Sequence, residues 1–472
     1  MRRLSFAAVM AAVVLAADPT MAQPAAAPTS KVQGRLQDLD AVRTRFLAND
    51  RSYAPAARRR AESRLDRLEA RVETVTDAQF ELALARIVAL ADNGHTRVLS
   101  GERSRRYNRV GVRLVPLGRD VVVLAARQEL SGLLGAQLVA IEDQPAARLV
   151  REARQLSGGV PGFRDRSSPF LFESPDLLCA WGKIPRCDAA LYRFRTPDGR
   201  VVSRRLAGEP PDKSRPAFGA LRWLLLDPPA DAGGPWRGAL AEGCAPWSLR
   251  DPGEPFRWRE APDLDALVID VRQNSSRPGR PLPDFLKAVE AEIDRRRPQN
   301  LVVDMRLNVG GDLNLTRAFM DGLPARVPGR IFVLTSPWTF SAGIASLGYL
   351  EQAAPERVTI VGEAVGDTLR FYAEGGPVYL SYSGVTLFNA TQLHDYARGC
   401  AGEPICHGSI VRHPIRLRTL DPDIRAPWTA SDYLAGRDPA MDAVRRELGR
   451  PKAAVDTACR EPLPVRRAPL GR

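Results

Sequence analysis

At 472 residues the chain exceeds one ordinary hydrophobic core, and 44% hydrophobic with 26% charged residues marks a folded, multi-domain protein rather than a disordered one. The net charge of +13 comes from basic residues interleaved with acids, as in "ARRRAESRLDR" and "EIDRRRPQN". That is the pattern of solvated helix faces, so no nucleic-acid partner is expected.

In chain order, residues 1–22 ("MRRLSFAAVMAAVVLAADPTMA") join two arginines to an apolar stretch too short to span a bilayer and end in small residues, which predicts a secretory signal cleaved after Ala22. Residues 23–34 read as a flexible leader. No later apolar run approaches the length of a membrane span, so no transmembrane anchor is expected after cleavage, and the expected location is secreted or periplasmic. Six cysteines in an exported chain can be oxidised. Nearness in sequence pairs Cys179 with Cys187 and Cys400 with Cys406, leaving Cys244 and Cys459.

Over residues 35–97, apolar residues recur every three or four positions in "RLQDLDAVRTRFL", "ESRLDRLEARV" and "FELALARIVALA", predicting a domain of three helices. Thr76 with Gln79 fits a capping box for the third. Residues 105–155 change to strand periodicity in "VGVRLVPL", "DVVVLAA" and "LLGAQLVAIEDQP", a β-rich module ending in a helix. Residues 156–262 read only as mixed. From 263 to 445, the apolar runs "DALVIDVRQN", "NLVVDMRLN", "RIFVLTS" and "RVTIVGE" alternate with helical patterns, as strands buried on both faces of a layered α/β core do. Residues 446–472 read as a tail.

Three places could carry chemistry. Ser341 stands where "RIFVLTSPWTF" gives way to a helix rich in small residues, and the residues alone leave two readings: a helix N-cap, or a nucleophile helped by the helix N-terminus. Gly310 and Gly311 in "LNVGGDLN" lie just past the carboxyl end of a buried strand, where a loop without side chains brings backbone N–H groups close to a ligand or simply turns the chain. His95 in "LADNGHTRV" follows a helix and is one of four histidines. It is a base for a serine, or a dipole partner for that helix. "CAGEPICH" brings His407 beside Cys406 and suggests a metal, but a local disulfide is the expected use of those cysteines in an exported protein, so no metal site is expected.

These elements occur in a recognisable order. "NGHT" resembles the "D-x-H-T" element, "VVDMRLNVGGD" the "D-L-R-x-N-x-G-G" element, "LTSPWTFSAG" the "L-x-x-x-x-T-x-S-A" element and "TIVGEAVGD" the "V-G-E-x-T-x-G" element of the serine peptidase clan that includes the carboxyl-terminal-processing (tail-specific) proteases and the tricorn core. The resemblance covers roughly residues 35–150 and 265–390. It implies a mixed α/β fold with a helical N-terminal domain, a small PDZ-like module at 105–155 and a peptidase-like core at 263–445. It also implies Ser341 as nucleophile, with N–H groups of Gly310 or Gly311 and of Ala342 as oxyanion donors. Processing proteases continue the last motif into a "G-K-G" turn whose lysine is the base. Here Asp367 and Thr368 stand at that turn and no lysine is near, which places the chain in a Ser/His branch with His95 as general base. Asp367 is the expected orienting acid, with Glu363 and Glu374 as other candidates and His394 as the rival base. The implied function is an exported serine hydrolase of peptidase type, acting on a peptide or protein substrate without cofactor. The alternative is a catalytically inactive ligand- or peptide-binding protein on the same scaffold.

Overall fold

A computed structural model gives the chain's fold and describes residues 30–213, 235–240 and 244–453. The segment expected to be a secretory signal, most of the expected leader, Cys459 and most of the C-terminal tail therefore lie outside the described residues.

The chain begins with helices α1 (Lys31–Ala41), α2 (Pro55–Glu69) and α3 (Asp77–Val88). The capping box is present: Thr76 accepts from the Gln79 N–H at 3.1 Å, and the Gln79 side chain accepts from the Thr76 N–H at 2.9 Å. Helix α3 is apolar nearly all round because it is covered on two sides. Phe80, Leu84, Ile87 and Val88 pack among the helices, whereas Ala78, Leu82 and Ala85 pack on the β-rich module. Burying side chains of this kind is worth about 1.5–3 kcal/mol for each large one. The helix is thereby held between two bodies, and the chain leaves it directly into the His95 loop.

A short strand β1 (Arg97–Val98) is followed by β2 (Val112–Leu117), β3 (Asp120–Arg127), β4 (Gln137–Ile141) and α4 (Ala146–Ala153). Strands β2, β3 and β4 pair antiparallel, and the sheet does not stop at the expected module. It continues into β5 (Ala189–Arg195) and β6 (Val201–Ala207), contributed by the stretch that the sequence left as mixed. The same stretch supplies β7 (Phe256–Ala261), the antiparallel edge of the core sheet.

The core sheet then takes β8 (Ala266–Val271), β9 (Asn300–Asp304), β10 (Ile331–Thr335) and β11 (Val358–Gly362), joined by α5 (Leu282–Arg296), α6 (Asn314–Arg326) and α7 (Ala342–Ala353). Strands β8 to β11 are parallel neighbours in sequence order. Alternation along each strand divides the core in two. Leu267, Ile269, Leu301, Val303, Ile331 and Val333 face the layer of α5, α6 and α7. Val268, Val302, Phe332 and Leu334 face the other side, where α8 (Pro439–Glu447) brings Met441 and Val444. Between α7 and α8 the chain forms β12 (Arg370–Ala373) and β15 (Gln392–Asp395), an antiparallel pair, and β13 (Pro377–Tyr379) with β14 (Thr386–Phe388), which pairs β1.

That last pairing docks the helical region on the core. Asp38 accepts from the Tyr382 and Ser383 N–H groups, and buried Asp50 accepts from the Ala390 N–H at 2.8 Å. Disulfides join Cys179 to Cys187 and Cys400 to Cys406, as sequence nearness predicts, and Cys244 is also disulfide-bonded. Among the described residues no helix is long and apolar enough to cross a membrane.

Candidate active site

Strand β10 ends at Thr335, and the loop from Ser336 to Ser341 is pinned to the end of its neighbour β9. Ser336 Oγ donates to the Arg306 carbonyl at 2.5 Å, Thr339 Oγ1 donates to the Met305 carbonyl at 2.9 Å, and the Phe340 N–H donates to the Asn308 carbonyl at 2.9 Å. The threonine of the "T-x-S-A" element is thus a positioning residue. It fixes the chain two residues before the serine.

Ser341 itself has φ 55° and ψ −126°, a region that a side chain with a Cβ seldom enters and that costs about 1–3 kcal/mol. Its side chain makes no capping bond to α7, so the N-cap reading fails in its usual form. The strained residue stands at the junction between the loop after β10 and the first turn of α7. The glycine loop lies against it. A Cβ on Gly310, whose φ is 101°, would come within 2.6 Å of Ser341 Cβ and 3.1 Å of the Ala342 nitrogen. Only glycine fits there.

Asn308 and Asn274, both fully buried, build the floor. Asn308 Nδ2 donates to the Val271 carbonyl at 2.9 Å and to Asn274 Oδ1 at 2.8 Å, while its Oδ1 accepts from the Gly310 N–H at 2.9 Å. Asn274 Nδ2 reaches the Ala342 carbonyl at 3.0 Å and Ser346 Oγ at 2.8 Å. The Gly310 N–H is therefore spent on Asn308. Of the oxyanion donors expected from the sequence, the N–H groups of Gly311 and Ala342 are left uncommitted by neighbouring carbonyls.

His95 arrives from the helical side and is 6% exposed. Asn93, which stands where the resembling motif has aspartate, clamps the loop to β12: its Nδ2 donates to the Tyr372 carbonyl at 2.9 Å and its Oδ1 accepts from the Tyr372 N–H at 3.0 Å. Thr96 Oγ1 donates to Asp50 at 2.8 Å. So held, the imidazole stacks on Phe340, the residue before Ser341, with centroids 4.3 Å apart, and on Phe371 at 5.2 Å. Its Nδ1 lies 3.5 Å from Asp367 Oδ2, longer than a normal hydrogen bond. Neither ring nitrogen has a hydrogen-bond partner, so Ser341 and His95 are not hydrogen-bonded in this structure.

Burial governs the electrostatics of the pair. It holds His95 well below its ordinary pKa, with the Arg97 guanidinium adding to the effect, so the ring is neutral at pH 7. It pushes the Asp367 carboxyl up to about 7, against a Thr368 N–H donated to Oδ1 at 2.9 Å.

The other candidates are placed elsewhere. His394 is engaged at both nitrogens, Nδ1 with Tyr396 Oη at 2.9 Å and Nε2 with Glu374 Oε1 at 3.1 Å, so neither it nor Glu374 is free to serve Ser341. Glu363 lies with Ser336, Trp338 and Trp428 along a cleft on one side of Trp338. A second cleft, lined by Arg97, Phe163, Arg166 and Phe340, runs on the other side. Sequence reasoning missed Asn274, Asn308 and Phe340. The asparagine inside "D-L-R-x-N-x-G-G" was a signal for Asn308, whereas nothing local marks Asn274 or Phe340.

No protein-family model and no curated protein matches this sequence. Solved structures do. The crystal structure of mature CPAF is similar over 88% of this chain and 96% of its own, at 12% identity and a TM-score of 0.52. That of a CPAF mutant is similar over 90% and 99%, at 10% identity and a TM-score of 0.50. The photosystem II D1 C-terminal processing protease aligns over 88% of this chain and 99% of its own, at 15% identity and a TM-score of 0.34. Likeness at these identities speaks to architecture alone: the chain shares its overall fold with mature CPAF.

Proposed function

We propose that the chain is an exported serine hydrolase of peptidase type, with Ser341 as nucleophile, His95 as general base and Asp367 as the acid that orients it. The observation that carries this reading is the backbone of Ser341. A non-glycine residue held at φ 55° and ψ −126°, with its hydroxyl unspent and a glycine packed on its Cβ, serves no purpose in an ordinary helix start.

In the proposed reaction, Ser341 Oγ attacks the carbonyl carbon of a peptide while its proton passes to His95 Nε2. The N–H groups of Ala342 and Gly311 receive the developing oxyanion. Asp367 fixes the tautomer by accepting from Nδ1–H and stabilises the imidazolium. His95 then hands the proton to the leaving amine, and water releases the acyl group by the same route. The step requires Ser341 Oγ to come within about 3 Å of His95 Nε2, an approach that binding of substrate in the clefts flanking Trp338 would complete. Export accords with the oxidised cysteines and with the N-terminal signal.

One observation favours the competing reading of a non-catalytic binding protein: the Ser341–His95 hydrogen bond is not made. Turnover separates the two. Hydrolysis of casein or a generic ester that saturates and disappears in Ser341→Ala supports the enzyme; absence of turnover by the folded protein supports binding.

A further inference from the structure

The local disulfide explains Cys400 and Cys406 without a metal, yet three side chains from separate segments meet beside β15. Glu374 follows β12 and is held at φ 55°. His394 lies on β15, in register with Phe371. His407 follows Cys406, whose disulfide to Cys400 closes a short loop. The backbone brings the two histidines together: the Leu393 N–H donates to the Ile405 carbonyl at 3.0 Å, and the His407 N–H donates to the Leu393 carbonyl at 2.9 Å. One ligating atom from each of Glu374, His394 and His407 lies within 4.8 Å of the others.

We propose that Glu374, His394 and His407 form a zinc site. Three features point to a ligand rather than to a chance cluster. His407 Nδ1 is buried without a hydrogen-bond partner, a state that costs about 1–3 kcal/mol if nothing occupies it. Tyr396 Oη is 2.9 Å from His394 Nδ1, the outer hydrogen bond that sets ring orientation in a metal-ligating histidine, and leaves Nε2 turned to Glu374. Finally, Glu374 Oε1 already lies 3.1 Å from His394 Nε2, at a side chain 41% exposed.

Two imidazoles and one carboxylate are a borderline donor set that favours zinc over magnesium or calcium, which take oxygen ligands. Three protein donors leave a fourth position for water. An ion there would tie β12, β15 and the Cys406–His407 segment at one point. It would sit one ring away from His95, since Phe371 stacks on both histidines, at 5.2 Å from His95 and 5.1 Å from His394.

The test is zinc binding to the chelator-treated full chain, followed by equilibrium dialysis and metal analysis. The expected result is one zinc per chain, abolished in His407→Ala and weakened by about 10-fold in Tyr396→Phe. Magnesium and calcium should not compete. Glu374→Gln, at an exposed side chain, should weaken binding as well and provides the check if His407→Ala does not fold. Failure of the folded wild-type chain to hold zinc, or zinc retained unchanged by both His407→Ala and Glu374→Gln, overturns the proposal. Because the readout is bound metal, neither result depends on whether Ser341 is catalytic.

Discussion

Phe340 and His95 are stacked with ring centroids 4.3 Å apart and planes 23° from parallel, so the residue immediately before Ser341 forms one wall of the imidazole's site. Phe163 stacks on Phe340 as well, with centroids 4.7 Å apart. The serine loop and the histidine loop, 246 residues apart in sequence, are thereby registered through an aromatic contact rather than through a hydrogen bond.

Removing that wall should cost both stability and reactivity. Phe340→Ala deletes a ring that is 2% exposed, and a loss of about 3–5 kcal/mol is expected in denaturant unfolding. Reactivity of Ser341 toward a fluorophosphonate should fall more than in Phe340→Leu, which keeps most of the volume. Equal reactivity in the alanine variant would remove Phe340 from the positioning role.

Gly310→Ala should displace the nucleophile. The added methyl would lie 2.6 Å from Ser341 Cβ at a φ of 101°, so the loop or the serine must move. A circular-dichroism melt should show destabilisation of roughly 1–3 kcal/mol, accompanied by at least about a 10-fold loss of turnover. Gly322→Ala, in α6 with open space around it, is the control and should leave turnover unchanged.

The pH dependence follows from Asp367. Its folded pKa is about 7 against 3.8 when unfolded, so between those values the folded chain holds a proton that the unfolded chain has released. Folding therefore becomes less favourable as pH rises through this window, and the penalty is complete above about 7. Asp367→Asn removes it and should stabilise the protein at pH 8, by at most about 4 kcal/mol, with little gain at pH 4. His95 acts in the opposite direction: its folded pKa lies below the ordinary value of 6.5, so its contribution weakens stability as pH falls below about 6.5. Melts of the wild type and Asp367→Asn across pH 4–8 check both signs.

The same carboxyl should shape activity. An ionised Asp367 orients His95, whereas a protonated one does not, so turnover should rise with pH through about 7. In Asp367→Asn this limb should vanish and the remaining rate should be low at every pH. A wild-type profile flat from pH 6 to 8 would assign the orienting role to another group.

Asn308→Ala should leave the Gly310 N–H and Asn274 Oδ1 without their partners in a fully buried place. A loss of about 1–3 kcal/mol for each unpaired group is expected in unfolding experiments, with reactivity at Ser341 falling in parallel.

The strands and helices of the core were legible because their burial is periodic: "LVVD" and "FVLT" bury both faces, and "FLKAVEAEI" buries one stripe. Ser341, Gly310 and His95 were legible through local motifs, whose spacing reflects the turn each must make. What the sequence hid is what depends on distant pairing. Strands β5 and β6 carry exposed and basic residues on their outer face, as in "VVSRRLA", so their strand character is weak until β4 pairs with β5. The commitment of the Gly310 N–H to Asn308 and the meeting of Glu374, His394 and His407 depend on loop geometry that no local pattern records. The turn at Asp367 singles it out from Glu363 and Glu374 in the sequence, and its Oδ2 lies 3.5 Å from His95 Nδ1.

Fluorophosphonate labelling of the purified mature protein, with peptide mapping and alongside Ser341→Ala and His95→Ala, tests the central claim most directly. The account predicts a single modified residue, Ser341, with labelling abolished in Ser341→Ala and reduced by at least about 100-fold in His95→Ala. A folded protein that takes no label, or that labels Ser341 equally well without His95, would contradict it.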